Sequence, residues 1–165
     1  IKLNEKNDLN SRNEVLSEFI LNVKKYQKNN INYFYFIHNI LPSDPFIFDE
    51  DCNKKNHVKD DGDMNIYLKN YSKNYKCALK KIREFIEFID LHDPDAIVVF
   101  QADHGEKITL NRNNNKYKIF NLIKVPNLCK KYLTNEIDSV NAVRLSINCA
   151  TGTKVKLLKR KIYSE

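Results

Sequence analysis

Tyr67, Leu68, Tyr71, Tyr75, Ala78, Leu79, Ile82, Phe85, Ile86 and Ile89 recur at i, i+3, i+4 and i+7, and this stripe constrains the chain more than any other feature. The spacing predicts an amphipathic helix of about six turns with a solvated, lysine-rich opposite face. Such a helix must bury its apolar stripe against another element. Runs suited to that role lie on both sides of it: "NYFYFIHN" (32–39) before it and "AIVVFQ" (96–101) after it. Both are aromatic or β-branched and apolar at consecutive positions, the pattern of strands buried on two faces. "LHDPD" stops the helix between them. Strand, long helix, strand predicts a βαβ unit, and hence an α/β fold with a mostly parallel sheet flanked by helices.

Shorter elements complete the expectation. Ser11 and Glu14 have capping-box spacing, and Val15, Leu16, Phe19, Ile20, Val23 and Tyr26 follow at helical intervals, which predicts a first helix. "KIFNLIKV" (118–125) is a third strand candidate, and Asp138 with Ser139 opens a short helix through "VNAVRLSIN" (140–148). The tail after Gly152 is basic and weakly patterned.

In open parallel sheets, ligands sit beyond the carboxyl ends of the strands. His38 ends the first predicted strand, and Asp103 and His104 end the second. A carboxylate oxygen beside an imidazole nitrogen suits Zn²⁺ or Mn²⁺. Adjacent residues on a continuing strand point to opposite faces, so both reach one ion only if the chain turns there, and Gly105 permits a turn. From spacing alone, a polar strand terminus with a surface histidine fits better, because the motif is short and two ligands do not fill a coordination shell. His38 is either a substrate-contacting imidazole or a structural one, and His57 and His92 lie in polar loops without a signal. Ser11 reads as a cap rather than a nucleophile. Asp49, Asp51, Asn53 and Asp60 trace part of an EF-hand loop, but Lys54 stands where the loop needs glycine and an Asp stands for its bidentate Glu. That motif is excluded.

The four cysteines, Cys52, Cys77, Cys129 and Cys149, lack C-x-x-C spacing, which argues against a zinc knuckle. In an exported protein Cys52 and Cys77 can pair; in a cytosolic one all four are thiols. The chain carries a net charge of +7. With its lysines read as scattered among asparagines and tyrosines, no nucleic-acid partner is expected. No apolar run approaches the roughly 20 residues of a membrane span.

Taken in order, these segments resemble the sulfatase-like hydrolases and transferases of the alkaline phosphatase superfamily, nearest to the bacterial membrane-anchored phosphoethanolamine and phosphoglycerol transferases. "FYFIHNILPSDPFIFDEDC" is similar to the family's strand and proline loop. "IVVFQADHGE" is similar to its metal-binding strand end, "IFNLIKVP" to the following strand, and "DSVNAVRLSIN" to its V-N-x-x-R-L-x-x-N helix. The resemblance implies an alkaline phosphatase-like sheet, incomplete here, with residues 1–165 forming the C-terminal portion of one domain. It implies that Asp103 and His104 ligate one divalent ion, Zn²⁺ or Mn²⁺ first and Ca²⁺ or Mg²⁺ as alternatives, and that His38 contacts an anionic substrate. That substrate would be a phosphate or sulfate ester, on a lipid or a glycan of the cell envelope. Ser43 replaces the family's second loop histidine. The nucleophile and the first acidic ligands would lie upstream of these residues, in a missing N-terminal half, so no catalytic nucleophile is expected in this chain and the chain alone would be inactive. An extracytoplasmic location follows from the resemblance, and with it the pairing of Cys52 with Cys77. A catalytically inactive interaction module that keeps the fold is the alternative.

Overall fold

The computed structural model describes residues 14–26, 32–55, 62–105, 117–134 and 137–159. The expected Ser11 cap, His57 and Asp60 lie outside them. The chain divides into two compact units, Ile1–Leu91 and His92–Glu165.

The first unit is helical. Helix α1 spans Val15–Tyr26 and helix α2 spans Met64–His92. The Asp63 carboxylate starts α2 by accepting from the backbone N–H groups of Asn65 (2.8 Å) and Ile66 (3.4 Å), two donors that have no partner within the helix. The predicted stripe is realised in part: Ala78, Phe85 and Ile89 are buried with Asn74 and Cys77, whereas Tyr75 and Leu79 stay exposed. Against this face pack Leu41, Ile47 and Phe48 from the loop before α2. Phe19 of α1 meets Phe85 at 5.5 Å and Tyr35 edge-on at 4.9 Å between centroids. Phe46 stands edge-on to Tyr67 at 4.9 Å.

Residues 32–39 correct one expectation. They form no strand: the segment has no regular secondary structure and carries no ladder among the described residues. Tyr35 and Ile37 are half-buried, while Phe34 and Phe36 are 91% and 84% exposed. The aromatic run is apolar at consecutive positions, yet within 33–37 only Tyr35 and Ile37 gain cover.

The loop after this segment turns at residues 40–43, where Ser43 N–H donates to the Ile40 carbonyl at 2.8 Å; the peptide bonds before Pro42 and Pro45 are both cis. Residues 47–55 then double back, with Phe48 bridged antiparallel to Lys54. Cys52, at φ 68°, is disulfide-bonded to Cys77 of α2.

The second unit contains the only sheet among the described residues. Strand β1 (Val98–Gln101) pairs with β2 (Asn121–Lys124) antiparallel, Val98 opposite Lys124 and Gln101 opposite Asn121. The mostly parallel sheet flanked by helices is therefore overturned. The βαβ reading needed a strand before α2, and that segment does not pair. The partner of β1 is instead the next apolar run along the chain, and an antiparallel return needs no helical crossover.

A 3-10 helix (Asn127–Tyr132) follows, then α3 (Ser139–Thr151). Asp138 caps α3 through its side chain, which accepts from Asn141 N–H at 2.7 Å. Gly152, at φ 69°, ends it in the left-handed conformation that glycine adopts without a Cβ clash. Val125, Cys129 and Leu145 form the core with Ile97, Ile123, Ile137 and Cys149 around them, and Cys129 is bonded to Cys149.

Candidate functional site

β1 reaches its last residue at Gln101, and one further hydrogen bond, from Ala102 N–H to the Phe120 carbonyl at 2.9 Å, prolongs the pairing. The chain then bends at Asp103 and His104. The bend replaces the opposite orientations that a continuing strand would impose, so both side chains come to one side: His104 Nε2 lies 3.8 Å from Asp103 Oδ1. Two donors about 2.0–2.2 Å from a tetrahedral ion stand roughly 3.4 Å apart, so this separation is close to that of two ligands sharing one ion.

The protonation pattern fits as well. His104 Nδ1 is 2.7 Å from the Gly105 carbonyl. A carbonyl only accepts, so Nδ1 carries the proton in the neutral ring and Nε2 presents its lone pair. A ring nitrogen held by a backbone carbonyl, with the other free to coordinate, is the usual arrangement of a metal-bound histidine. Asp103 Oδ1 also accepts from His104 N–H at 3.0 Å, and its side chain is 89% exposed. The donor set thus suits a borderline divalent cation. It supplies two ligands, and no group of three or more His, Cys, Asp or Glu side chains able to hold a metal occurs among the described residues.

His38 is exposed in the irregular segment of the first unit. Its neighbour Asn39 turns inward along the chain, its side-chain oxygen accepting from Leu41 N–H at 3.3 Å. His38 therefore sits just before a turn whose shape is set by backbone and Asn39 contacts.

The acidic loop serves itself. Asp49 Oδ1 accepts from the N–H groups of Asn53 (2.8 Å) and Asp51 (3.0 Å), and Oδ2 accepts from the Asn53 amide at 3.3 Å. These donors, the Asn53 backbone N–H foremost, hold the Asp49 carboxyl below its ordinary pKa, with Lys55 adding to the effect. Glu50 is lowered by its own backbone N–H and by Lys73, 3.0 Å away, and Lys73 is raised in return.

Other important residues are buried or helix-borne amides that the sequence analysis does not single out. Asn74 is fully buried in the first unit. Its oxygen accepts from Phe48 N–H at 3.2 Å, and its nitrogen donates to the carbonyls of Pro42 (3.0 Å) and Ser43 (3.4 Å). Asn141 and Asn148 of α3 grip the tail. Asn141 exchanges two hydrogen bonds with the backbone of Leu158, both 2.8 Å, and Asn148 does the same with Val155 at 2.6 and 2.8 Å. Arg144 between them donates to the Lys156 carbonyl at 3.0 Å. In Asn74 an amide falls in a stripe otherwise read as apolar. Asn141 and Asn148 stand two turns apart on one helix; both spacings were signals available beforehand.

No protein-family model, curated protein or solved structure matches the chain significantly. Among the described residues no helix is long and apolar enough to cross a membrane.

Proposed function

We propose that this chain contributes part of a divalent-metal site for the hydrolysis or transfer of a phosphate or sulfate ester, with Asp103 and His104 as two of the ligands. The observation that carries the reading is the 3.8 Å separation of His104 Nε2 and Asp103 Oδ1 at the end of β1, with Nδ1 engaged by the Gly105 carbonyl. The motif similarity to the sulfatase-like hydrolases and transferases supports it independently. A bound Zn²⁺ or Mn²⁺ would act as a Lewis acid on the ester oxygen and lower the pKa of an attacking hydroxyl.

The residues of this chain have simpler tasks. The Gly105 carbonyl fixes the His104 tautomer, so that Nε2 stays available as a donor. Asp103 supplies negative charge that neutralises part of the cation. His38 lies in the other compact unit and is not assigned to this pair. The hydroxyl nucleophile and the remaining ligands would come from residues other than these. Two disulfides, one in each unit, favour an oxidising compartment such as the extracytoplasmic side of a membrane. The substrate would then be a lipid or glycan ester of the cell envelope.

One observation favours the alternative of an inactive interaction module: the described residues provide no third ligand near the pair. The test is metal titration of the purified chain beside the Asp103→Ala/His104→Ala variant, using Zn²⁺ and Mn²⁺ followed by calorimetry. Binding by the wild type that disappears in the variant is the expected result. Equal binding by both proteins would remove the assignment, and a folded wild type that binds neither ion would favour the inactive module.

A further inference from the structure

The positive charge is less scattered than the lysines first suggest. Residues 125–161 carry eight Lys and Arg against two acidic residues, which accounts for six of the chain's seven net positive charges. One of those acids, Asp138, is committed to capping α3.

Within this basic stretch the second unit holds an open groove of about 470 Å³ beside α3. Val140, Val143, Ile147 and Val155 form its apolar floor, and Arg144 lies in it. Val140, Val143 and Ile147 recur at i, i+3 and i+7 on a face turned to solvent, Val143 being 52% exposed. Lys154 and Lys156 flank Val155, and the tail that bears them is held against α3 by Asn148 and Arg144. The Arg144 guanidinium uses one N–H on the Lys156 carbonyl, which leaves further donors for an anion.

We propose that this groove, with Arg144 in its lining and Lys154 and Lys156 on either side of Val155 in the chain, is a docking surface for anionic phospholipid bilayers. Charge decides the occupant. Apolar side chains between cations match a surface that offers acyl chains beneath negative headgroups. A nucleic acid would use the cations and leave the valine and isoleucine face in water, and an uncharged apolar partner would leave the cations unmatched. The inference stands apart from the metal site, since it uses none of its residues.

The test is co-sedimentation of the full chain with phosphatidylcholine vesicles, with and without phosphatidylglycerol. Binding is expected only when phosphatidylglycerol is present, and should weaken with added salt. Lys154→Ala and Lys156→Ala should each weaken it about fivefold, the effect of one cation at an anionic surface. Val143→Ser and Ile147→Ser, on an already exposed face, should each weaken it by a similar factor of about five, since half of each side chain is available to be buried. Circular dichroism and an intact Cys129–Cys149 bond confirm that each variant is folded. No binding to phosphatidylglycerol vesicles would overturn the proposal. Binding that depends on the lysines but ignores Val143 and Ile147 would also overturn it. So would duplex DNA binding with that same pattern in place of vesicle binding.

Discussion

Replacing Asn74 by Leu should destabilise the first unit by about 3 kcal/mol. The substitution keeps the branched shape and the number of side-chain heavy atoms, so the effect does not come from a cavity. Three hydrogen bonds disappear, at 3.2, 3.0 and 3.4 Å. The longest adds least, and each of the others is worth roughly 1 kcal/mol net. Phe48 is buried, so its N–H is left without a partner or water, which costs about 1–3 kcal/mol more. The Ser43 carbonyl belongs to an exposed residue and can turn to water at little cost.

Urea unfolding of the oxidised protein would measure this. The chain has no Trp, and six of its nine tyrosines belong to the first unit, so tyrosine fluorescence reports mainly on that unit. Asn74→Asp adds a second diagnostic. A carboxylate there can still accept from Phe48 N–H, but it faces the Pro42 carbonyl without a proton to donate. Its folded pKa should therefore rise above the ordinary value near 3.9. The folded state then binds the extra proton, so the variant's deficit should shrink as pH falls through that raised pKa and grow above it. A loss below about 0.5 kcal/mol in Asn74→Leu, the size of a typical surface substitution, would refute the view that this amide joins α2 to the proline loop.

Other outcomes follow from the same structure. Cys129→Ser/Cys149→Ser opens a cross-link spanning 20 residues and should cost about 3 kcal/mol by loop closure, read as a lower urea midpoint of the second unit by circular dichroism. Asp49 is held below its ordinary pKa, so its loop contacts are present above the unfolded value and fade as pH falls through the lower folded value. An Asp49→Asn protein should lose that acid-limb dependence, and a carboxyl NMR titration of Asp49 at its ordinary pKa would contradict the assignment.

The helices were the most legible part of the chain because their signals are local. The stripe from Tyr67 to Ile89 and the Asp138 cap each depend on neighbours within a few turns. The sheet was not legible. Whether "NYFYFIHN" pairs is decided by what lies beside it in space, and its composition is the same in a covered strand and in an irregular segment with Phe34 exposed. β1 and β2 were found as strands, but strand direction is carried by the connection, and the reading supplied a partner on the wrong side of α2. At the candidate site the residue types were visible in "QADHG". The bend that aligns Asp103 with His104 was visible only as a permissive glycine. The buried amides were illegible for a different reason. An asparagine reads as polar surface unless the backbone groups it will satisfy are known, and for Asn74 those lie 26 to 32 residues away.

Asn141 and Asn148 give the tail an unusual kind of freedom. Their hydrogen bonds to Val155 and Leu158 all go to main-chain atoms, as does that of Arg144 to Lys156. The information that seats the tail therefore resides in the helix. Side chains at 156 and 157 can change without loosening the attachment, whereas exchanging either helix amide for an aliphatic residue would release the segment whatever its own sequence. Variation among descendants of this chain should accordingly be sparse at the two amides and, apart from the basic character at 154 and 156, concentrated in the tail.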